Sequence, residues 1–215
     1  AFFNRGILLS QFMARRLGDD WEKGDLIKLK KELRRDDNDL RLFLGGPLCV
    51  QLLELLDQAK QEKWHVYAAL YELDDTQLIE RLKVLGKRVH LLLANGSKKK
   101  KGEDGNKDTA DVLEEVVDLN RRMLWSEGLG HNKFVVFAKT PSEPFLVWTG
   151  STNWATTGLC TQLNNGILVQ DSGLAAAYLK QWKLLKGDHR TGRGGANMHF
   201  GENLMISNDE AKTGT

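Results

Sequence analysis

His131 and Lys133 are two residues apart, at the start of a stretch rich in Phe and Val that covers residues 132–138. Such a stretch is typical of a β-strand, in which residues i and i+2 face the same side, about 6.5 to 7 Å apart. We therefore expect the imidazole and the ammonium group to point together. Neutral imidazole is a competent nucleophile toward phosphorus, and a neighbouring lysine can hold a phosphate oxygen and stabilise developing charge. The pair predicts a site where an anionic group is held and attacked.

A polar turn with the sequence Gly150-Ser151-Thr152-Asn153 follows the next strand-like run, residues 145–149. Residues 141–144 join the two runs as a predicted hairpin loop. Glycine at the start of the turn permits a close approach of the backbone. We expect the Ser151 hydroxyl and the Asn153 amide to supply further donors to the same oxyanion as Lys133.

A strand–helix–strand unit precedes these residues. Residues 64–73 contain a near-continuous apolar run of strand length, and Asp74-Asp75-Thr76 predicts the cap of a helix that continues to Leu85. Its buried stripe is expected at Leu78, Ile79, Leu82 and Leu85. Gly86 ends the helix, and residues 88–94 form a second buried strand. Two such strands around one helix predict a right-handed parallel crossover.

The remaining segments extend this pattern. We predict helices at residues 7–17, within 19–39, and at 48–61, 109–120 and 174–185, with further strands at 41–44, 122–125 and 166–170. In helix 48–61 we place Val50, Leu53, Leu56 and Ala59 on the buried face, and in helix 174–185 Ala177, Leu179, Trp182 and Leu185. The fold class is α/β, a central mixed β-sheet flanked by helices on both faces. Residues 1–187 are expected to form one domain, and 188–215 a flexible tail or the start of a second half.

Composition leaves the ligand class open. The chain has 31 basic and 29 acidic residues, a net charge of +2, so any nucleic-acid surface would have to be local. The lysine run in loop 95–108 is interpreted as a solvated surface segment. Cys49 and Cys160 lie among apolar neighbours and are expected to be buried thiols, and His65 and His90 to be structural histidines. No transmembrane segment is predicted, and the localisation stays open.

These features together resemble the phospholipase D superfamily. The resemblance is carried by His131-x-Lys133, Gly150-Ser151-x-Asn153 and Asn164-Asn165 before an apolar strand, together with the upstream strand–helix–strand unit. It implies a phospholipase D-like half-fold and a phosphodiesterase or phosphatidyltransferase that uses a phosphohistidine intermediate and no metal or other cofactor. The substrate would be a phosphodiester of phospholipid or of nucleic acid.

The resemblance also suggests roles for individual residues. His131 would be the nucleophile or the acid/base, Lys133 and Asn153 would bind phosphate, and Ser151 would support the site through hydrogen bonds. Candidate substrate-binding or supporting residues are Gly150, Asn164, Asn165, Trp154 and Glu72. For Trp154, stacking on the substrate is weighed against packing in the core, which is the more frequent role of such a residue.

Three departures from the family pattern are visible. An aspartate expected five residues after the lysine is replaced by Ala138, and an acidic residue expected after the turn is replaced by Asn164. Glu72 is a candidate for compensating the missing acid. The chain also carries a single motif, so a complete site needs a homodimer or a second motif-bearing half. The alternative function is a catalytically degenerate module that binds phosphate or nucleic acid.

Overall fold

The computed structural model describes residues 1–6, 8–9, 28–29, 31–35, 38–97, 103–124 and 130–187. Its strands are β1 Phe2–Phe3, β2 His65–Leu70, β3 Val89–Ala94, β4 Asp118–Arg122, β5 Lys133–Ala138, β6 Pro144–Gly150 and β7 Asn165–Gln170. Its main helices are α1 Asp39–Gln61, α2 Thr76–Leu85, α3 Lys107–Leu113, α4 Thr156–Cys160 and α5 Ser172–Gly187. A 3-10 turn, Gly86–Arg88, joins α2 to β3.

The strands form one mixed sheet with the order β1-β7-β6-β5-β2-β3-β4. Strands β2, β3 and β4 are parallel to one another, which confirms the predicted parallel pairing of β2 and β3 across α2. Strand β5 pairs antiparallel with β2, and the predicted hairpin joins it to β6. The site therefore lies where the parallel and antiparallel halves of the sheet meet.

Helices cover both faces of the sheet, as predicted. In β2, Val66, Ala68 and Leu70 point into the larger core, which contains side chains from α1 to α4. The alternate residues Tyr67 and Ala69 point into a second core, against α5. This alternation is the ordinary pleat of a strand that is buried on both faces.

Helix α2 follows the sequence closely. Asp75 is its N-cap, with a side chain that accepts a hydrogen bond from the Leu78 N–H, and Gly86 ends it with a positive φ of 62°. Leu78, Leu82 and Leu85 are buried as predicted, and Ile79 is only partly buried. In α5, Leu179, Trp182 and Leu185 are buried, but Ala177 is exposed and Ala175 takes its place in the core.

The predicted strand at residues 41–44 is wrong, because these residues form the first turns of α1. Asn38 caps that helix by accepting from the Arg41 N–H, and Leu44 is fully buried in the core. A kink at Gly46, with φ of 52°, precedes Pro47 and separates this part from the predicted helix 48–61. After the kink the buried stripe includes Leu48, Leu52, Leu55 and Ala59, so Val50 lies outside it and is 46% exposed, contrary to the prediction.

Helix 109–120 and strand 122–125 are also corrected. Helix α3 already ends at Leu113, and Asp118–Arg122 pairs with β3 as the edge strand β4. Because an edge strand has few buried positions, the sequence of β4 is mostly polar and lacks the apolar alternation by which a strand is recognised. Asp118 also accepts a hydrogen bond from His90, at 2.8 Å, and His90 lies 3.3 Å from a ring nitrogen of His65, which agrees with structural roles for both histidines.

Several predictions fall outside the described residues: most of helices 7–17 and 19–39, the lysine run 98–101, and segment 188–215. Cys49 and Cys160 are free and buried, and burial raises their pKa values to about 11 and about 12, so both are thiols at neutral pH. No helix in the described part of the chain is long and apolar enough to cross a lipid bilayer.

Candidate active site

Three strand ends meet at one edge of the sheet. Strand β5 begins at Lys133, which pairs with Leu70 at the end of β2. The neighbouring residue Phe134 pairs with Thr149, so β6 ends beside the same place, at Gly150. The spacing in the sequence predicts that His131 lies near Lys133. The pairing of β2 with β5 shows in addition that the end of β2 lies beside Lys133.

The turn after β6 crosses over the start of β5 to reach β2. The Trp154 N–H donates to the Glu72 carbonyl at 3.1 Å, and the Trp154 carbonyl accepts from the N–H groups of Asp74 and Asp75. Residues 151–153 therefore span the gap between β7 and the end of β2, over the strand that begins at Lys133. This crossing brings the predicted donors of the turn to the edge that carries the histidine and the lysine.

His131 and Lys133 share one aromatic neighbour, Tyr71. The imidazole meets the Tyr71 ring edge-to-face with centroids 4.7 Å apart, and Lys133 Nζ lies 5.2 Å from the centroid of the same ring. The two side chains thus lie on the same side, as predicted, although His131 precedes the strand and is exposed. Tyr71 was not among the predicted site residues. It became recognisable only when the register placed the end of β2 beside Lys133.

The surroundings of the site lower the pKa values of both His131 and Lys133. Burial lowers the pKa of His131 below its ordinary value, the Lys133 charge lowers it further, and Glu72 opposes both. Burial lowers the pKa of Lys133 to about 8, again against the attraction of Glu72. At neutral pH the histidine therefore has a free lone pair for attack, while the lysine keeps its charge.

Anion binding at this site is expected to weaken as the pH rises above about 8, because Lys133 then loses its proton. Sulfate is a suitable probe, since its charge is constant between about pH 7 and about pH 9.5, a window in which His131 is already neutral. Calorimetric titration over this range should give a falling affinity for the wild type. Lys133→Arg keeps its charge throughout and should give a nearly flat profile; a flat wild-type profile would contradict the assignment.

The turn is held by β7. Gly150 has a φ of 147°, and a Cβ there would lie 2.4 Å from the Asn165 carbonyl oxygen, so only glycine fits. Ser151 Oγ donates to Asn164 Oδ1 at 2.9 Å and accepts from the Asn165 N–H at 3.0 Å. Thr152 Oγ1 donates to the Asn165 carbonyl at 2.7 Å. The Ser151 hydroxyl proton is therefore engaged in holding the turn.

Asn153 differs from its neighbours in the turn. Its Oδ1 atom is buried, and no hydrogen-bond partner for it is found among the described residues. A Cβ at Gly158 would lie 2.4 Å from the Asn153 carbonyl oxygen, so α4 packs directly against this residue. An unsatisfied buried polar atom costs about 1 to 3 kcal/mol. Oδ1 is an acceptor, so as placed it suits a donor group of a ligand, and only the Nδ2 group of the same amide could donate to an anionic oxygen.

Two of the predicted supporting residues lie behind the site. Trp154 is 1% exposed and packs in the larger core, so its ring cannot stack on a substrate and only its backbone serves the site. Asn164 is buried, and its Nδ2 donates to the Gly158 carbonyl at 2.9 Å. The amide thus ties α4 to the turn.

Ala138 lies far from this edge. It pairs with His65 at the opposite end of β5 from Lys133, and it is fully buried in the second core. An aspartate at position 138 would therefore lie at the end of β5 away from Lys133 and would not face the imidazole. The described residues contain no group of three or more His, Cys, Asp or Glu side chains that could hold a metal ion.

Comparisons with known proteins support the family resemblance. The family model for the cardiolipin synthase, PLD-like domain matches residues 52–185, more than half of the chain. No curated protein matches the sequence.

Among solved structures, the phospholipase D family member Nuc from Salmonella typhimurium is 17% identical over 62% of this chain and 83% of its own, with a TM-score of 0.46. NucT from Helicobacter pylori is 13% identical over 62% of this chain and 86% of its own, with a TM-score of 0.47. Polyphosphate kinase from Porphyromonas gingivalis is 14% identical over 76% of this chain and 29% of its own, with a TM-score of 0.49. By the match of residues 52–185, the chain belongs to the family of phospholipase D-like domains.

Proposed function

We propose that this chain is a phosphodiesterase in which His131 attacks the phosphorus of a phosphodiester. The observation that supports this most is the convergence of His131 and Lys133 on Tyr71, at the edge crossed by the turn that carries Asn153. A neutral imidazole beside a cation and an amide N–H donor, here Asn153 Nδ2, is a set suited to in-line attack on phosphorus. Membership of the phospholipase D-like family agrees with this chemistry.

The proposed reaction has two steps. An imidazole nitrogen of His131 forms a bond to phosphorus, the bond from phosphorus to the leaving oxygen breaks, and a second histidine gives that oxygen a proton. Water, deprotonated by the second histidine, then forms an oxygen–phosphorus bond as the phosphorus–nitrogen bond breaks, which releases a phosphomonoester and restores His131. Lys133 and the Asn153 amide hold the non-bridging oxygens, whose charge grows in each transition state.

The second histidine would come from another motif, because this sequence has one His-x-Lys pair. We propose that it is supplied by a second copy of the chain in a homodimer or by a second motif-bearing half. Both arrangements place two imidazoles on opposite sides of one phosphorus atom.

A module that binds phosphate or nucleic acid without turnover is the second candidate. It is favoured by Asn164, an amide at the position of the family's acidic residue, whose hydrogen bonds go to Ser151 and Gly158. A histidine without a carboxylate partner is less able to stabilise its imidazolium form. Binding would survive this loss better than catalysis.

Hydrolysis of three phosphodiesters separates these candidates: bis-p-nitrophenyl phosphate, single-stranded DNA and phosphatidylglycerol vesicles, each with EDTA present. We expect turnover of at least one substrate that EDTA does not change, with a specific activity that rises with protein concentration if a homodimer completes the site. Binding of all three without hydrolysis would favour the second candidate. Loss of activity in EDTA would reject the metal-free mechanism, and constant specific activity down to nanomolar protein would reject the homodimer.

A further inference from the structure

We propose that Glu72, oriented by Ser97, is the acidic partner that supports His131 in place of the carboxylate missing at Asn164. The proposal rests on the proposed phosphodiesterase function and adds a positioning residue from a different part of the fold. In the family pattern the acid follows the turn at the start of β7. Here it would come from the end of β2.

The backbone of Glu72 is connected both to the turn that carries Asn153 and to Tyr71. Its carbonyl accepts the Trp154 N–H, which ties it to the turn that carries Asn153. The preceding residue, Tyr71, is the one whose ring contacts both His131 and Lys133. The carboxylate is therefore attached to the same short segment that positions the candidate catalytic pair.

The side chain of Glu72 is also held. Ser97, in the loop after β3, donates a hydrogen bond from Oγ to Glu72 Oε1. This hydrogen bond engages one carboxylate oxygen of Glu72 and leaves Oε2 outside it. A hydroxyl on one oxygen restricts the rotation of the carboxylate without neutralising its charge.

The loop that carries Ser97 is anchored to the end of β2. Asn106 Nδ2 donates to the carbonyls of Tyr71 and Ala94, at 2.7 and 2.8 Å, and its Oδ1 accepts from the Leu73 N–H at 3.1 Å. A Cβ at Gly105 would lie 2.1 Å from the Ser97 carbonyl oxygen, so the returning chain passes directly against Ser97. Buried hydrogen bonds of this kind keep the Ser97 hydroxyl beside Glu72.

The charges of Lys133 and Glu72 act on the His131 imidazole in opposite directions. Burial lowers the pKa of the His131 imidazole most, the charge of Lys133 lowers it further, and the charge of Glu72 raises it. When the imidazole becomes positively charged in the reaction, Lys133 opposes the charge and Glu72 favours it. The part proposed for Glu72 is therefore to stabilise the imidazolium through its charge, as the carboxylate does in many histidine-based sites.

The experiment compares Glu72→Gln, Ser97→Ala and Ser97→Thr with the wild type, and uses Glu54→Gln, an exposed carboxylate on α1, as the matched control. NMR titration of the His131 ring reports its pKa directly and needs no activity. We expect a fall in this pKa for Glu72→Gln, a smaller fall for Ser97→Ala, and recovery in Ser97→Thr, which restores the hydroxyl. Where hydrolysis is measurable, kcat should fall at least about tenfold for Glu72→Gln with little change in KM.

The two proposals can fail separately. A fall in the His131 pKa in a protein without any hydrolytic activity would uphold the role of Glu72 and reject the enzyme. An active protein in which Glu72→Gln changes neither the His131 pKa nor kcat beyond the Glu54→Gln control would overturn the role of Glu72 alone. A fall in Glu72→Gln that Ser97→Ala does not share would overturn the part assigned to Ser97.

Discussion

Replacement of His131 by asparagine is expected to reduce phosphodiester hydrolysis by at least about 10³-fold, the scale on which removal of a nucleophile or acid/base acts. The amide keeps the polarity and nearly the size of the imidazole but cannot form the bond to phosphorus. His131 is exposed and precedes β5, so the substitution should leave the fold intact. The measurement is initial rate with bis-p-nitrophenyl phosphate, paired with a thermal melt of each protein.

His65→Asn provides the matched control for this loss. His65 also begins a strand, but it lies at the opposite end of the sheet, where it pairs with Ala138. Its substitution should leave the rate within about threefold, since it contacts none of the site residues. Equal rates for the wild type and His131→Asn would show that the observed hydrolysis does not use this histidine.

The second large effect is on stability. Arg41 and Asp75 form a fully buried bidentate ion pair, with nitrogen–oxygen distances of 2.8 and 2.9 Å. Asp75 also caps α2 and accepts from Thr156 Oγ1 on α4, and Arg41 donates to the Leu33 carbonyl. We expect Arg41→Met or Asp75→Asn to lower the free energy of unfolding by about 3 to 5 kcal/mol, because each leaves one buried charge without its partner.

A double-mutant cycle separates this pair from its surroundings. In Arg41→Met/Asp75→Asn both charges are gone and asparagine can still cap α2, so the loss should be clearly smaller than the sum of the single losses. Arg34 and Asp74, an exposed pair 3.0 Å apart, give the control: Arg34→Met should cost less than about 1 kcal/mol. Urea denaturation of the four variants is the measurement, and additive losses in the cycle would refute the coupling.

The strand–helix–strand unit could be predicted because its signals are local. Asp75 is followed by apolar residues at helical spacing, and Gly86 ends the helix in a conformation that glycine adopts easily. The neighbouring runs of β2 and β3 are long enough and apolar enough to be strands buried on both faces. Each of these patterns is contained within a few residues of the chain.

The two misassigned segments depended on partners that are distant in sequence. Residues 41–44 are a short, mostly apolar run before two glycines, which favours a strand. In the structure, however, Arg41 forms an ion pair with Asp75 and Leu44 is buried in the core. The exposed Leu42 and Phe43 then lie on the outer side of a helix. Strand β4 begins earlier than the sequence predicts, because its polar residues pair with β3 at the edge of the sheet, where little burial is required.

The spacing of His131 and Lys133, the turn at Gly150 and the mixed α/β fold could be recognised from the sequence by itself. Only the tertiary structure decided that Tyr71 lies under both side chains, that Trp154 is buried and that Ala138 is at the far end of β5. The physical reason is that sequence spacing sets neighbours within one strand or turn. The neighbours across the sheet are set by register, which follows from the packing of both faces against helices remote in the chain.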